Sequence, residues 1–350
     1  MSIKDSIQGK LIELKEVINN LDIDTNLVFT IGNTMSTTSS FYFTPFRFKD
    51  NFVLFGAIVF SESEAEELLL AFKDIVNIFF VDVEVKAGFN SANGLEKIAR
   101  KVILHEKLNW YKGNDVTLEA LDLTVCNYFE QKMEAVYDKN ILVIGIGNIG
   151  TKIALRLLER GSNIKIHGNN IEKNKAVCSV LNQIKPKGTS SIVEIFKSFN
   201  SKNKLDIIIL THTHPLSSLN EFYDKFIDEK TLIIDVGKGC LSEIQIKTLI
   251  KNNVLLKRLD IGESILNLVS LRNKSLNIFE ESEKINFRGH VFLQKGSLGE
   301  KNDIIVDDIK APKLAYGICD GKGGFKAKLS NYEKQIIKDF ILHGNTNNGS

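Results

Sequence analysis

Apolar and polar positions follow two periods along this chain, and the switch between them is sharpest at Asn140–Gly161. Ile141 to Ile146 is a nearly unbroken apolar run, the pattern of a strand buried on both faces. From Ile149 the period lengthens. Ile153, Leu157 and Leu158 fall on one helical face, and Gly161 is placed to close the helix. Short apolar runs of the first kind recur at Leu27–Ile31, Val76–Val85, Asn163–Ile166, Leu205–Leu210, Thr231–Val236 and Val254–Ile261. Helical spacing predicts an opening helix through Ile3, Ile7, Leu11, Leu14 and Ile18, and further helices over 64–75 and 94–108. Asn114 or Asp115 is placed to cap another, with Val116, Leu121, Val125, Tyr128 and Phe129 as its buried stripe. Phe41–Phe60 reads as two strands around Lys49-Asp50-Asn51, the first an edge strand because it contains Pro45. Its aromatic density is expected to be core packing, with a dimer contact or a substrate wall as alternatives. Gly32 to Ser40 reads as a polar loop. Ser61-x-x-Glu64 and Ser330-x-x-Glu333 have the form of capping boxes. Gly344 is expected to end the last helix and Asn345–Ser350 to be a disordered tail.

Strands that alternate with helices imply parallel β-α-β units. At 350 residues two domains are expected. The reading places an N-terminal α/β substrate or dimerisation domain at 1–113, a connector helix at 114–138, a dinucleotide-binding domain at 139–300, and a C-terminal extension at 301–350. A homodimer is one expectation for the aromatic N-terminal region. The near-balanced charge, +2, gives no reason for a nucleic-acid or membrane partner. No apolar run approaches transmembrane length. Lys4 and Asp5 interrupt the start, so no signal peptide is expected. Cys126, Cys178, Cys240 and Cys319 form no C-x-x-C pair, which fits a reducing, cytoplasmic setting.

Gly145, Gly147 and Gly150 have the spacing G-x-G-x-x-G between the strand and the helix. There the first glycine permits a tight turn, the second lets a pyrophosphate approach the backbone, and the third lets helix and strand pack closely. The helix N-terminus then faces the phosphates. The expected fold class is therefore α/β, a Rossmann-type doubly wound parallel sheet preceded by a second α/β domain. The expected cofactor is NAD(P), with a lean to NADP. After the second strand the chain reads HGNNIEKNKA, with no acid before Glu172 to grip a ribose diol, while Asn169, Asn170, Lys173 and Lys175 are suited to a 2′-phosphate. Asn148 and Ile149 within the loop, and Thr211, His212 and Gly237 just past later strands, complete the expected cofactor set. His212-x-His214 is a metal-like spacing, but the nearby carboxylates form no ligand set, so no metal is expected.

From Asn140 to His290 the chain resembles the nucleotide-binding domain of D-isomer-specific 2-hydroxyacid dehydrogenases. The matching motifs, in order, are GIGNIG, DIIILTHTHPL, LIIDVGKG, LDI and RGH. The resemblance implies hydride transfer on a small hydroxy or keto substrate. It places His290 as acid–base group, Asp260 against the nicotinamide amide, and Lys238 where the family's carboxylate-binding arginine stands. The family's catalytic glutamate position falls on Ile265, with Glu263 two residues before it and a candidate to orient His290. A fainter resemblance to shikimate-type dehydrogenases implies that Lys86 and Asp115 flank the substrate. HGNNIEKNKA is also similar to that family's N-R-T-x-x-K-A NADP signature, with the arginine missing. The altered catalytic positions leave a second expectation: a dinucleotide-binding protein without redox activity.

Overall fold

A computed structural model describes residues 3–20, 25–33, 41–49, 51–84, 94–196, 204–212, 226–275 and 284–347. Lys86 and His214 lie outside the described residues, as does most of the polar loop expected after Ile31. The chain divides into two compact units, Met1–Leu268 and Val269–Ser350.

The first unit holds two sheets. The N-terminal sheet contains β1 (Asn26–Asn33), β2 (Tyr42–Lys49), β3 (Phe52–Val59), β4 (Ile78–Asp82) and β5 (Leu108–Tyr111). Their order is β2-β3-β1-β4-β5, parallel except for the hairpin β2/β3. Pro45 accounts for two features of β2. The strand lies at the sheet edge, and its register with β3 shifts between Thr44 and Arg47. Helices α1 (Ile3–Asn19), α2 (Glu62–Phe72) and α3 (Gly94–Val102) are amphipathic. Their apolar residues Leu14, Leu68, Phe72 and Leu95 share one core with Phe29, Phe55 and Phe79 of the sheet. The Phe29 ring lies 5.0 Å from Phe55 and 5.1 Å from Phe72, centroid to centroid, so Phe55 packs in the core, whereas Tyr42 and Phe48 of the same aromatic stretch are exposed. Ser61 and Glu64 form the expected capping box at the start of α2.

Two expectations are corrected here. The helix expected over 94–108 stops at Val102. A 3-10 turn at His105–Lys107 follows, and Leu108–Tyr111 becomes strand β5. Four residues carry too little periodicity to announce a strand. Pairing with the edge of β4 supplies what local pattern cannot. The next helix, α4 (Gly113–Glu130), is capped by neither Asn114 nor Asp115. Its free amides are taken by carboxylates of the neighbouring chain segment. Gly113 N donates to Asp82 Oδ1 at 3.1 Å, and Asn114 N to Glu84 Oε2 at 2.8 Å.

The second sheet is wholly parallel: β6 (Asn140–Ile144), β7 (Asn163–His167), β8 (Val193–Ile195), β9 (Ile207–Leu210), β10 (Leu232–Asp235) and β11 (Leu255–Arg258). Its order, β8-β7-β6-β9-β10-β11, is the doubly wound Rossmann order, with the switch point between β6 and β9. Alternate residues of the apolar runs serve opposite faces. Ile141, Val143, Ile207 and Ile209 join a core with α4 and with α5 (Asn148–Glu159). Leu142, Ile144, Ile208 and Leu210 join another that includes Leu249 of α7 (Glu243–Lys251). Burial on both faces is why these strands read as unbroken apolar runs. Helix α6 (Ile171–Ile184) follows β7, and α8 (Gly262–Ser275) follows β11.

The second unit, considered by itself, contains β12 (Lys284–Phe287), β13 (His290–Gln294), β14 (Ile304–Val306) and β15 (Ala315–Ile318) in one sheet. Helix α9 (Asn331–Asn347) covers it, with Phe292 and Phe340 stacked at 3.7 Å between centroids. Ser330 and Glu333 cap that helix reciprocally. The helix continues through Gly344 to Asn347, so glycine does not end it here; an isolated glycine only weakens a helix. Among the described residues no helix is long and apolar enough to cross a membrane.

Helices α4 and α5 are joined by a ladder of charges. Lys152 meets Asp115 at 2.8 Å, Arg156 meets Glu119 at 2.8 Å, and Arg160 grips both oxygens of Asp122 at 2.9 and 2.7 Å. Asp122 is the buried member, its side chain 8% exposed against 45% for Arg160. Replacing Arg160 with Met strands that carboxylate with only Arg156 at 3.7 Å. We expect a loss of about 1–2 kcal/mol, less than for a fully buried pair because water screens the arginine. Urea unfolding followed by fluorescence of the single tryptophan, Trp110, measures it.

Candidate functional site

The glycine-rich loop lies at the switch point, between β6 and α5. Gly145 has φ +94°, a backbone conformation suited to glycine, and its N–H donates to His167 O at 2.8 Å. A Cβ on Gly150 would stand 1.9 Å from Gly145 O, so the helix can lie this close to the strand only without a side chain there. At Gly147 the reason differs. A Cβ would meet nothing within 4 Å, so the protein's own packing does not require glycine at that position. Gly147 is also the N-cap of α5 and provides no side-chain cap for the helix amides. Open space before an uncapped helix N-terminus is what a pyrophosphate needs. Asn148 beside it is exposed and Ile149 half-buried. A second sign of fit lies at the end of β7. The buried Asn174 amide donates to Gly168 O at 2.8 Å, while its Oδ1 has no hydrogen-bond partner among the described residues. The residues present therefore fit a dinucleotide.

The other expected cofactor residues support this loop or border it. Thr211 donates its hydroxyl to Gly145 O, and its N–H to Ile144 O at 2.8 Å. Gly237 lies so close to His212 O that a Cβ would stand 1.8 Å away. Beside it, the buried Cys240 thiol donates to His212 O at 2.8 Å, tying the segments after β9 and β10 together. Burial, with Asp235 adding to it, pushes that thiol up to about 12, which leaves it a packing group rather than a nucleophile. Asn170 caps α6, its Oδ1 accepting from Lys173 N at 3.0 Å, and Asn169 is exposed. Lys175 pairs with Glu172 at 2.8 Å on the surface. His167 ends β7, and burial holds its imidazole below the ordinary value.

A cavity of about 600 Å³ opens within the first unit. The N-terminal sheet supplies one side, through Thr30, Gly32, Leu54 and Ile58, with Asn33, Asp82 and Tyr111 at the strand ends. The carboxyl edge of the parallel sheet supplies the other, through Lys238, Arg258, Asp260 and Ile265. Arg47 of β2 also lines it and reaches Asp260 Oδ1 at 3.3 Å. Asp82 is 2% exposed. Its Oδ1 accepts from Glu84 N at 3.0 Å and from Gly113 N, so the carboxylate that lines the cavity also anchors α4. Burial, then the nearby Asp82 and Glu84 carboxylates, push the Tyr111 phenol well above its ordinary range and keep it protonated.

The structure thus brings Lys238 and Asp260 to one cavity. Lys238 is exposed at φ +62°, in a turn held by Asp235, whose oxygens accept from Lys238 N at 2.9 Å and Gly239 N at 3.0 Å. Glu263 is exposed in the first turn of α8. Asp115 is engaged by Lys152 and Lys112 in the charge ladder, and its hydrogen bond from Lys152 is the main cause of a carboxyl pKa below the usual range. Neither is among the residues lining the cavity. His290 begins β13 in the second unit, its ring 5.8 Å from that of Tyr332. Sequence reasoning missed Arg47, Asp82 and Tyr111. A usable signal existed for Asp82, an acid closing an otherwise apolar strand (IFFVD).

No family model matches the sequence, and no curated protein matches it. Similar solved structures include a shikimate dehydrogenase in complex with NADP+, 15% identical, covering 72% of this chain and 91% of that one, at TM-score 0.39. Another is L-tryptophan dehydrogenase from Nostoc punctiforme, 12% identical, with coverage of 75% and 79% and a TM-score of 0.42. A third is the ligand-free 5-ketofructose reductase of Gluconobacter sp. strain CHM43, 13% identical, with coverage of 72% and 93% and a TM-score of 0.36. Likenesses this loose carry no argument about activity.

Two outcomes are expected of this site. Gly150→Ala forces the helix off the strand and costs about 1–3 kcal/mol, as overpacking does, read as a lowered melting temperature. His167 gives a pH effect. Its folded pKa is depressed, so the unfolded chain takes up the proton first, and stability falls as pH drops from the ordinary 6.5 through the folded value. His167→Gln removes that part of the slope in melting curves from pH 8 to 5.

Proposed function

We propose that this protein is an NAD(P)-dependent oxidoreductase acting on a small polar substrate in the cavity between its two sheets. One observation carries the reading: open space at Gly147 before the uncapped N-terminus of α5, at the switch point of a sheet in Rossmann order. The order of motifs from GIGNIG to LDI, which resembles 2-hydroxyacid dehydrogenases, supports it. The Gly145–Gly150 loop and the start of α5 hold the pyrophosphate, and the end of β7 with Asn169 and Asn170 meets the ribose. When bound, the dinucleotide supplies or accepts a hydride. The chain's own residues do the rest. Lys238 anchors the substrate, Tyr111 donates a hydrogen bond from its phenol, and Asp260 orients groups at the cavity mouth. The apolar Leu54, Ile58 and Ile265 limit water.

NADP(H) is the favoured cofactor. No carboxylate ends β7 to repel a 2′-phosphate, and Lys173 adds positive charge, while Lys175 is paired with Glu172. Titrating both dinucleotides at low and high salt tests this. NADP(H) binds at least as tightly as NAD(H), salt weakens the preference, and Asn169→Asp moves it toward NAD(H). Dinucleotide-dependent absorbance change with a panel of small carbonyl and hydroxy compounds tests the reaction. Failure to bind either dinucleotide overturns the reading. Binding without turnover across the panel favours a dinucleotide-binding protein without redox activity.

A further inference from the structure

One end of the cavity gathers cations. β10 pairs its Asp235 with Arg258 of β11, so Lys238 and Asp260, three and two residues further along, leave the same edge of the parallel sheet. Arg47 comes to them from β2, the edge strand of the N-terminal sheet, and all four side chains line the cavity. Here Arg47, Lys238 and Arg258 share one carboxylate, that of Asp260, and only Arg47 reaches it. Neither Lys238 nor Arg258 makes an ion pair among the described residues.

Arg47 is firmly placed and little used. A Cβ on Gly262 would stand 2.6 Å from Arg47 Nε and 3.2 Å from its Cζ, so the guanidinium lies against the start of α8 where only glycine leaves it room. One nitrogen, Nη2, meets Asp260 Oδ1 at 3.3 Å. Strong charge-assisted bonds are shorter, about 2.7–2.9 Å, and a guanidinium can offer a carboxylate two of them side by side. Among the described residues the contact to Asp260 is the only hydrogen bond this guanidinium makes. The same Asp260 oxygen also accepts from Gly262 N at 2.9 Å. The aspartate side chain is 80% exposed against 26% for the arginine. An ion pair so open to water on one side contributes little and exchanges readily.

We propose that Asp260 is a resident competitor for Arg47: a substrate carboxylate displaces it and takes two N–H groups of the guanidinium where Asp260 has one. The proposal rests on reading the cavity as the substrate site. The group that Arg47 holds at rest is itself a carboxylate, so the exchange is like for like, and the second bond of the fork favours the newcomer. Lys238 and Arg258 add positive potential. Asp260, once released, keeps its bond from Gly262 N and is solvated by water. The exchange also selects. A neutral group of the same shape gains too little from Arg47 to break the existing pair, so the pair excludes it. A plain structural brace differs in sign. Loss of either partner of a brace weakens whatever depends on it. In a displacement, loss of Arg47 removes the anchor, whereas loss of the Asp260 charge removes the competitor.

Calorimetry on the full chain tests this, with acetate, lactate, 2-oxobutyrate and succinate as probes. The matching amides serve as neutral controls and inorganic phosphate as a second kind of anion. At least one carboxylate should bind ten-fold or more tightly than its amide. Asp260→Asn keeps an Oδ1 acceptor for Gly262 N and removes the charge, so it should tighten that carboxylate about three-fold or more. Arg47→Gln should weaken it ten-fold or more. Arg47→Lys, which keeps the charge without the fork, should weaken it several-fold and provides a readout should Arg47→Gln fail to fold. In the Arg47→Gln background Asp260→Asn should change nothing, because no guanidinium is left to compete for. Weaker binding in both single variants, as a brace gives, overturns the proposal. So does tightening that persists in the double variant, as a general change of field gives. Phosphate binding more tightly than every carboxylate, or no carboxylate binding at tens of millimolar, overturns it as well. Dinucleotide titration and turnover of the same samples keep the two readings apart. A protein that binds dinucleotide and reduces a carbonyl compound without the opposed effects loses only this inference. One that shows the opposed effects and binds no dinucleotide loses only the oxidoreductase reading.

Discussion

Helix α4 is held from both ends of the first unit, and the relation of its two sheets depends on that. At its start, Asp82 and Glu84 from the end of β4 take the amides of Gly113 and Asn114. Along its length, Leu118, Leu121, Val125 and Phe129 enter the core of the parallel sheet. On the flank, Asp115, Glu119 and Asp122 face Lys152, Arg156 and Arg160 of α5. Exposed pairs of this kind contribute little singly. The buried Asp122 contributes more, and the apolar seam most. Together they set the carboxyl ends of the N-terminal strands against the carboxyl edge of the parallel sheet, and the cavity is the space between. The same helix start explains why a carboxylate lies inside it: Asp82 belongs to the cap as much as to the cavity.

The cavity's charges are placed by irregularities rather than by regular structure. Pro45 interrupts pairing in β2, and the register shift that follows brings Arg47 to the cavity rather than leaving it on the far side of an edge strand. Lys238 sits at positive φ in a turn that Asp235 holds with two hydrogen bonds. Asp260 lies in the short turn between β11 and α8, where its Oδ1 also accepts from Gly262 N at 2.9 Å. Regular strands supply a rigid frame, and the local departures from regularity carry the polar groups to it.

Most of the frame was legible in the chain. The apolar runs of the parallel sheet, the G-x-G-x-x-G spacing and both capping boxes depend on residues within a few positions of one another, so their physics is local. Strand β5 was not legible, because four residues have no period and only β4 makes them a strand. The cap of α4 was not legible either, because its acceptors lie some thirty residues earlier in sequence.

The site divides in the same way. Gly145, Gly147 and Gly150 could be identified from spacing alone, because a tight turn, an open approach and a close packing contact each demand glycine at a fixed offset. Lys238 and Asp260 could be identified from their places after strands of a parallel sheet. Arg47, Asp82 and Tyr111 could not, since they come from three strands and meet only when the N-terminal sheet forms. The resemblance to shikimate-type dehydrogenases suggested Asp115 beside the substrate; in the fold that carboxylate pairs with Lys152. The chain by itself therefore determined most of the elements, the parallel sheet and the glycine-rich loop. Only tertiary structure decided which charges share a cavity, because that depends on contacts between residues far apart in the chain.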